Sequence, residues 1–144
     1  MKTDKYVKTQ TLQKTHHPEF TKDPIHLMAT EKNFGNRDFT LLYECIHQPG
    51  EMVMQHHKHD FDQYLNFFGG DPTNMLELNG ELELYLSEDG VNPEKHIINK
   101  ATSIYVPAGL YHCPLIYKRV DKPFLFIEIQ FARKYTRTEV PIKV

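Results

Sequence analysis

The chain has 144 residues, with 17 Lys and Arg against 19 Asp and Glu, and its formal charge of −2 leaves out the one-sided basicity of a nucleic-acid surface. Hydrophobic residues make up 40%, aromatic residues 12% and charged residues 25%, the balance of one soluble globular domain able to bury a core unaided. Cys45 and Cys113 are the only cysteines, which excludes a disulfide framework and any CxxC pattern and suits a reducing, cytoplasmic setting.

Residues 1–37 begin as a polar, Lys/Thr-rich arm in which Pro18 and Pro24 oppose a continuous helix, and lead into the first strand region. The arm is expected either to be mobile or to lie along the domain or a neighbouring subunit. No apolar core follows its basic start, so it does not read as a secretory leader. From residue 38 onward β-branched and aromatic residues dominate, punctuated by Gly, Pro, Asn and Asp, and helical periodicity is nearly absent. Strands are expected at 38–47, 52–57, 63–68, 81–86, 95–99, 102–106, 111–117 and 124–131. The clearest alternation is at 81–86, where Leu82, Leu84 and Leu86 point to one side and Glu81, Glu83 and Tyr85 to the other. The most apolar run, 123–131, is interrupted by Glu128 and is far shorter than the roughly 20 residues of a membrane helix. Strands at this spacing with short turns predict an antiparallel sandwich or barrel, the class that includes the jelly roll. Residues 133–144 read as a basic surface tail.

Nine histidines are the uncommon feature of the composition, because imidazole is the most frequent metal ligand. His56, His57 and His59 fall within four residues, where an apolar strand runs into the acidic bend 60–62. In extended chain His57 and His59 share parity and project from one face about 6–7 Å apart, close enough to converge on one ion, while His56 points away. Gln63 keeps that parity across the bend and can return an amide oxygen as a third ligand, with His112 as a fourth. His16, His17, His26, His47 and His96 have no such company and read as structural or exposed.

The motifs carry a family resemblance. Gly50, the His57-Lys58-His59 triplet, Gln63 and Gly69 stand in the order of the first cupin motif, and Pro107, Gly109 and His112 fit the second, with Ala101 where a glycine is expected. The chain resembles a small single-domain bacterial cupin over residues 38–131. The resemblance implies an all-β, double-stranded β-helix or jelly-roll barrel at 38–132 with an extended N-terminal arm. It also implies that His57, His59 and His112 bind a divalent transition metal (iron, zinc, manganese or nickel), with Gln63 in the place of the usual glutamate. Three imidazoles and an amide are all neutral, so such a site keeps a charge near +2 instead of about +1.

Cupins host many reactions, so the fold names none. One expectation is a small metal-dependent enzyme, an oxygenase, isomerase or cyclase, acting on a small oxygenated or aromatic metabolite. The other is a noncatalytic binding or sensing module whose ion anchors the ligand. A titratable group in the cavity near the ion discriminates between them, because proton transfer needs one. Wall candidates are Tyr43, Cys45, Met52, Met54, Leu65, Phe67, Tyr105 and Phe124 or Phe126, residues that more often build a core. Glu128 lies either on the wet face or in the cavity as a base, and its direction decides. A homodimer is expected as the assembly, with Tyr6, Val7 and Leu12 of the arm as candidate contacts.

Overall fold

The computed structural model describes residues 1–9, 12–31 and 34–141. It contains twelve strands: β1 (Leu12–Gln13), β2 (Thr21–Ala29), β3 (Thr40–Ile46), β4 (Gly50–Val53), β5 (His56–Lys58), β6 (Gln63–Gly69), β7 (Glu77–Ser87), β8 (Glu94–Lys100), β9 (Thr102–Val106), β10 (Tyr111–Val120), β11 (Phe124–Gln130) and β12 (Thr138–Val140). Asp4–Tyr6 forms a single 3₁₀ turn. One sheet runs β1-β2-β3-β11-β6-β9 and the other β12-β5-β10-β7-β8, with β4 also pairing to β10; every pairing is antiparallel. The expected all-β jelly roll is what the chain adopts, and among the described residues no helix is long and apolar enough to cross a membrane.

Alternation builds the core between the sheets. Leu82 and Leu84 of β7, Leu65 and Phe67 of β6, and Phe124 and Phe126 of β11 are buried and belong to one cluster with Phe20, Ile46, Leu115 and Tyr117. Burial of such side chains contributes about 1.5–3 kcal/mol each.

Two regions contribute more than their composition advertises. The stretch before residue 38 supplies β2, which pairs with β3 and absorbs Pro24 at a register shift between Lys22 and His26. It also supplies Phe20, fully buried against Tyr117. Phe20 explains Gly50: a methyl there would sit 2.4 Å from Phe20 Cδ1, so only glycine lets the Phe20 side chain pack this closely on the backbone. The tail supplies β12, which pairs with β5 and so lies against the histidine strand; residues 142–144 of that tail lie outside the described residues.

The expected strand at 52–57 is broken into β4 and β5. In β10 the register shifts between His112 and Leu115 around Cys113, whose φ is 77°. The bulge keeps His112, Leu115 and Tyr117 all buried although their spacing breaks strict alternation.

Candidate metal centre

β5, β6 and β10 carry the side chains of interest. His57 of β5 is paired directly with His112 of β10, and His59 follows β5 at the head of the acidic bend. The strand parity of His57 and His59 and the bulge at Cys113 bring one ring nitrogen from each of His57, His59 and His112 to within 4.8 Å of one another. Ring centroids are 4.2 Å apart for His57 and His112, 4.8 Å for His57 and His59, and 5.0 Å for His59 and His112.

Main-chain carbonyls fix how these rings face. His57 Nδ1–H donates to the Gln55 carbonyl at 2.8 Å, His59 Nδ1–H to Thr136 at 2.6 Å and His112 Nδ1–H to Leu110 at 3.1 Å. With Nδ1 engaged as a donor in each ring, the lone pair is left on Nε2, the tautomer a metal ligand requires. The Gln63 amide is buried at the same place, its Nε2 donating to His112 Nε2 at 2.9 Å.

Burial holds all three imidazoles neutral at ordinary pH. Loss of water takes His57 down to about 4, and then His59 and Arg137 oppose its proton further. His112 falls to about 3, through burial first and its neighbour His57 second. His59 is lowered by burial as well. A set of neutral, convergent nitrogens is the donor chemistry of a divalent transition metal.

The turn before β10 is tied to this cluster through the backbone. Gly109, with φ +88°, donates its N–H to the His59 carbonyl at 2.9 Å, and the Ala108 N–H bonds Asp62 Oδ1 at 2.8 Å. The glycine is needed because that backbone region disfavours other residues. The acidic bend therefore clamps the two histidine-bearing segments together.

His56 points away from the cluster, as its parity requires. It is buried, donates Nδ1–H to the Cys113 carbonyl at 2.7 Å and stacks on Tyr111.

Other residues of the site lie where sequence reasoning did not look. Tyr135 packs edge-on to His59 at 4.9 Å, Phe61 stacks on the same ring at 4.6 Å, and Thr136 supplies the carbonyl that orients it. The tail gave no signal beyond its charge.

Glu128 shares a face of β11 with the buried Phe124 and Phe126, so it points inward, and burial raises its pKa above that of an ordinary carboxyl. Its partner across the sheet is Leu65, two residues from Gln63. Glu44 of β3 is inward too, raised to about 7 by burial and then by Glu128. Of the expected wall residues, Leu65, Phe67, Phe124 and Phe126 are core, whereas Tyr43 and Tyr105 are exposed. Tyr43, with Cys45, occupies the parity opposite to Leu42, Glu44 and Ile46, and Tyr105 alternates with the inward Ile104 and Val106.

No protein-family model matches the sequence, and no curated protein is similar to it. Solved structures are. Oxalate decarboxylase from Bacillus subtilis, in its structure at pH 4.6, superposes with a TM-score of 0.56 at 15% identity, over 85% of this chain and 28% of that one. A structure of the same protein obtained in work on its Mn(II) centres gives 0.55 at 15% identity, over 84% and 28%. A serine-to-alanine variant gives 0.54 at 13% identity, over 93% and 29%. The chain thus spans less than a third of the length of these proteins, and the likeness is one of fold.

Proposed function

The chain has the cupin fold, and from that premise we propose that it holds a divalent transition metal through His57, His59 and His112, with Gln63 as the fourth ligand. We assign it as a small metal-dependent enzyme acting on a small oxygenated or aromatic metabolite. The observation that carries this reading is the convergence of three buried, neutral imidazoles, each with Nδ1–H committed to a carbonyl. Gln63 joins them by turning its amide so that Oε1 replaces Nε2 toward the ion. Iron, zinc, manganese and nickel all suit such donors, and the Mn(II) centres of oxalate decarboxylase add weight to manganese.

When bound, the ion supplies Lewis-acid polarisation of a substrate oxygen and a charge near +2. The chain supplies the rest. An amide cannot accept a proton, so Gln63 leaves that task to another group. Glu128, inward-facing and with its pKa raised by burial, is suited to hold or release a proton beside a bound molecule. Phe61 and Tyr135 flank His59 and keep water from its ring. A carboxyl on the inner face favours an enzyme over a noncatalytic module. The second reading, a sensing cupin whose ion anchors an anionic ligand, draws on Gln63 alone.

Residues 38–132 form the proposed barrel, with the flanking segments bracing it, and the proposed compartment is the cytoplasm, in keeping with two free thiols. The proposed assembly is a homodimer.

Elemental analysis of untagged protein, with anomalous scattering at the metal edge, tests the centre. About one equivalent of iron, zinc, manganese or nickel centred on the three histidines is expected, and it should vanish in His57→Ala and in His112→Ala. Full occupancy in either variant would overturn the ligand assignment.

A further inference from the structure

A cavity of about 600 Å³ opens between β2 and β3 on one side and β4 with the tail on the other. Its walls include Ile25, Leu27, Leu42, Met52 and Val53, an apolar lining of the size that encloses a small organic molecule. In this lining stands Glu44. Its side chain is inward and only 4% exposed, and Oε2 is buried without a hydrogen-bond partner among the described residues.

A desolvated carboxylate oxygen left unpartnered is costly, and native interiors rarely keep one. The neighbours do not relieve it. The residue opposite Glu44 is Phe126, and Glu128 lies two positions further along the same face, so a second carboxylate adds to the negative field. Two arginines line the cavity but are paired elsewhere: Arg133 with Asp38 at 2.7 Å and with Asn36, and Arg137 with Glu139 at 2.6 Å.

We propose that this cavity binds a small apolar organic cation, a protonated amine whose ammonium donates to Glu44 Oε2 while its hydrocarbon body lies against Leu42, Met52 and Val53. An ammonium supplies both the missing donor and the missing charge. An alcohol of the same shape supplies only the donor, and a carboxylate is repelled. Tyr135 lines the cavity and packs on His59, so one wall of the cavity borders the histidine cluster. The inference stands on the cavity and Glu44 and does not depend on the proposed metal.

The test uses the full chain after chelator treatment, at pH 8, above the value of about 7 to which burial raises Glu44. Benzylamine, benzyl alcohol and benzoate are titrated by calorimetry, with methyl NMR shifts of Leu42 and Met52 locating the contact. Benzylamine is expected to bind about tenfold more tightly than benzyl alcohol, benzoate more weakly than either, and Glu44→Gln should bring amine and alcohol level. An amine no tighter than the alcohol, shifts that miss Leu42 and Met52, or an advantage that survives in Glu44→Gln would overturn the proposal. Should Glu44→Gln fail to fold, the ligand comparison and the shifts in the parent protein decide it.

Discussion

At the scale of single residues, the buried titratable groups pull stability in opposite directions with pH. His57 and His112 keep their protons off down to about 4 and about 3, whereas unfolded imidazoles titrate near 6.5. The unfolded chain therefore binds more protons in that window, and the metal-free protein loses stability as pH falls from about 6.5 toward 4. Glu44 has the opposite sign: raised to about 7, it holds a proton that the unfolded chain releases above about 4.5, so its contribution falls as pH rises through that range. Replacing it with the isosteric amide removes that loss. Thermal scans of metal-free Glu44→Gln should show a Tm advantage over the parent that grows between pH 5 and pH 8; a constant gap would contradict the shift. Gln63→Glu should tighten divalent metal by lowering the site's charge, read by competition with a chelator, and an unchanged affinity would remove Gln63 from the ligand set.

At the scale of elements, the tail does more for the centre than its exposure indicates. β12 pairs with β5 along the His56–Lys58 register, and Thr136 both orients His59 and hydrogen-bonds Asp60. Ending the chain at residue 133 should keep the strand content measured by circular dichroism while weakening metal binding about 10–100-fold, the usual cost of losing an orienting partner. Unchanged affinity would show that His59 needs no such brace. Gly50→Ala forces a methyl into Phe20 and should cost about 1–3 kcal/mol in denaturant unfolding. The strands from 38 onward were legible because breakers bound them and because β7 alternates cleanly between Leu and polar residues. β2 was legible only as a first strand region before residue 38, without bounds, since Pro24 and charged residues mask a strand that a register shift accommodates. The faces of β3 and β11 resisted reading for another reason. Both strands are apolar on both sides, as in Leu125, Ile127 and Ile129 against Phe124 and Phe126, so parity had no polar face to fix it, and Tyr43 and Glu128 could be placed only by the pairing itself.

At the scale of the whole molecule, the outer side of the first sheet gathers exposed aromatic residues. Tyr43, Tyr64, Tyr105 and Phe131 are exposed on the β9-β6-β11-β3 side of the first sheet, Tyr64 stacking on Tyr105 at 5.1 Å and meeting Phe131 at 6.1 Å. Leu125, Ile127 and Ile129 share that side, interrupted by Asn66 opposite Ile127 and Ser103 opposite Asn66, and exposed apolar groups gathered on one face are a common mark of a contact surface. For the proposed homodimer this sheet face is a candidate contact beside the arm, since a two-fold pairing would bury each copy's patch on the other. Tyr64→Lys combined with Ile127→Lys should convert a dimer to a monomer in light scattering while leaving metal content unchanged. A parent protein that is monomeric at high micromolar concentration would discard this interface.

The three imidazoles are aimed by carbonyls of Gln55, Leu110 and Thr136, groups that every amino acid carries. Side-chain exchange at Gln55 or Leu110 leaves the steering oxygen where it is. A library randomised at those two positions should therefore retain metal in most folded members, whereas proline inserted nearby, by redirecting the main chain, should not. Sites built this way tolerate wide sequence drift around a constant geometry.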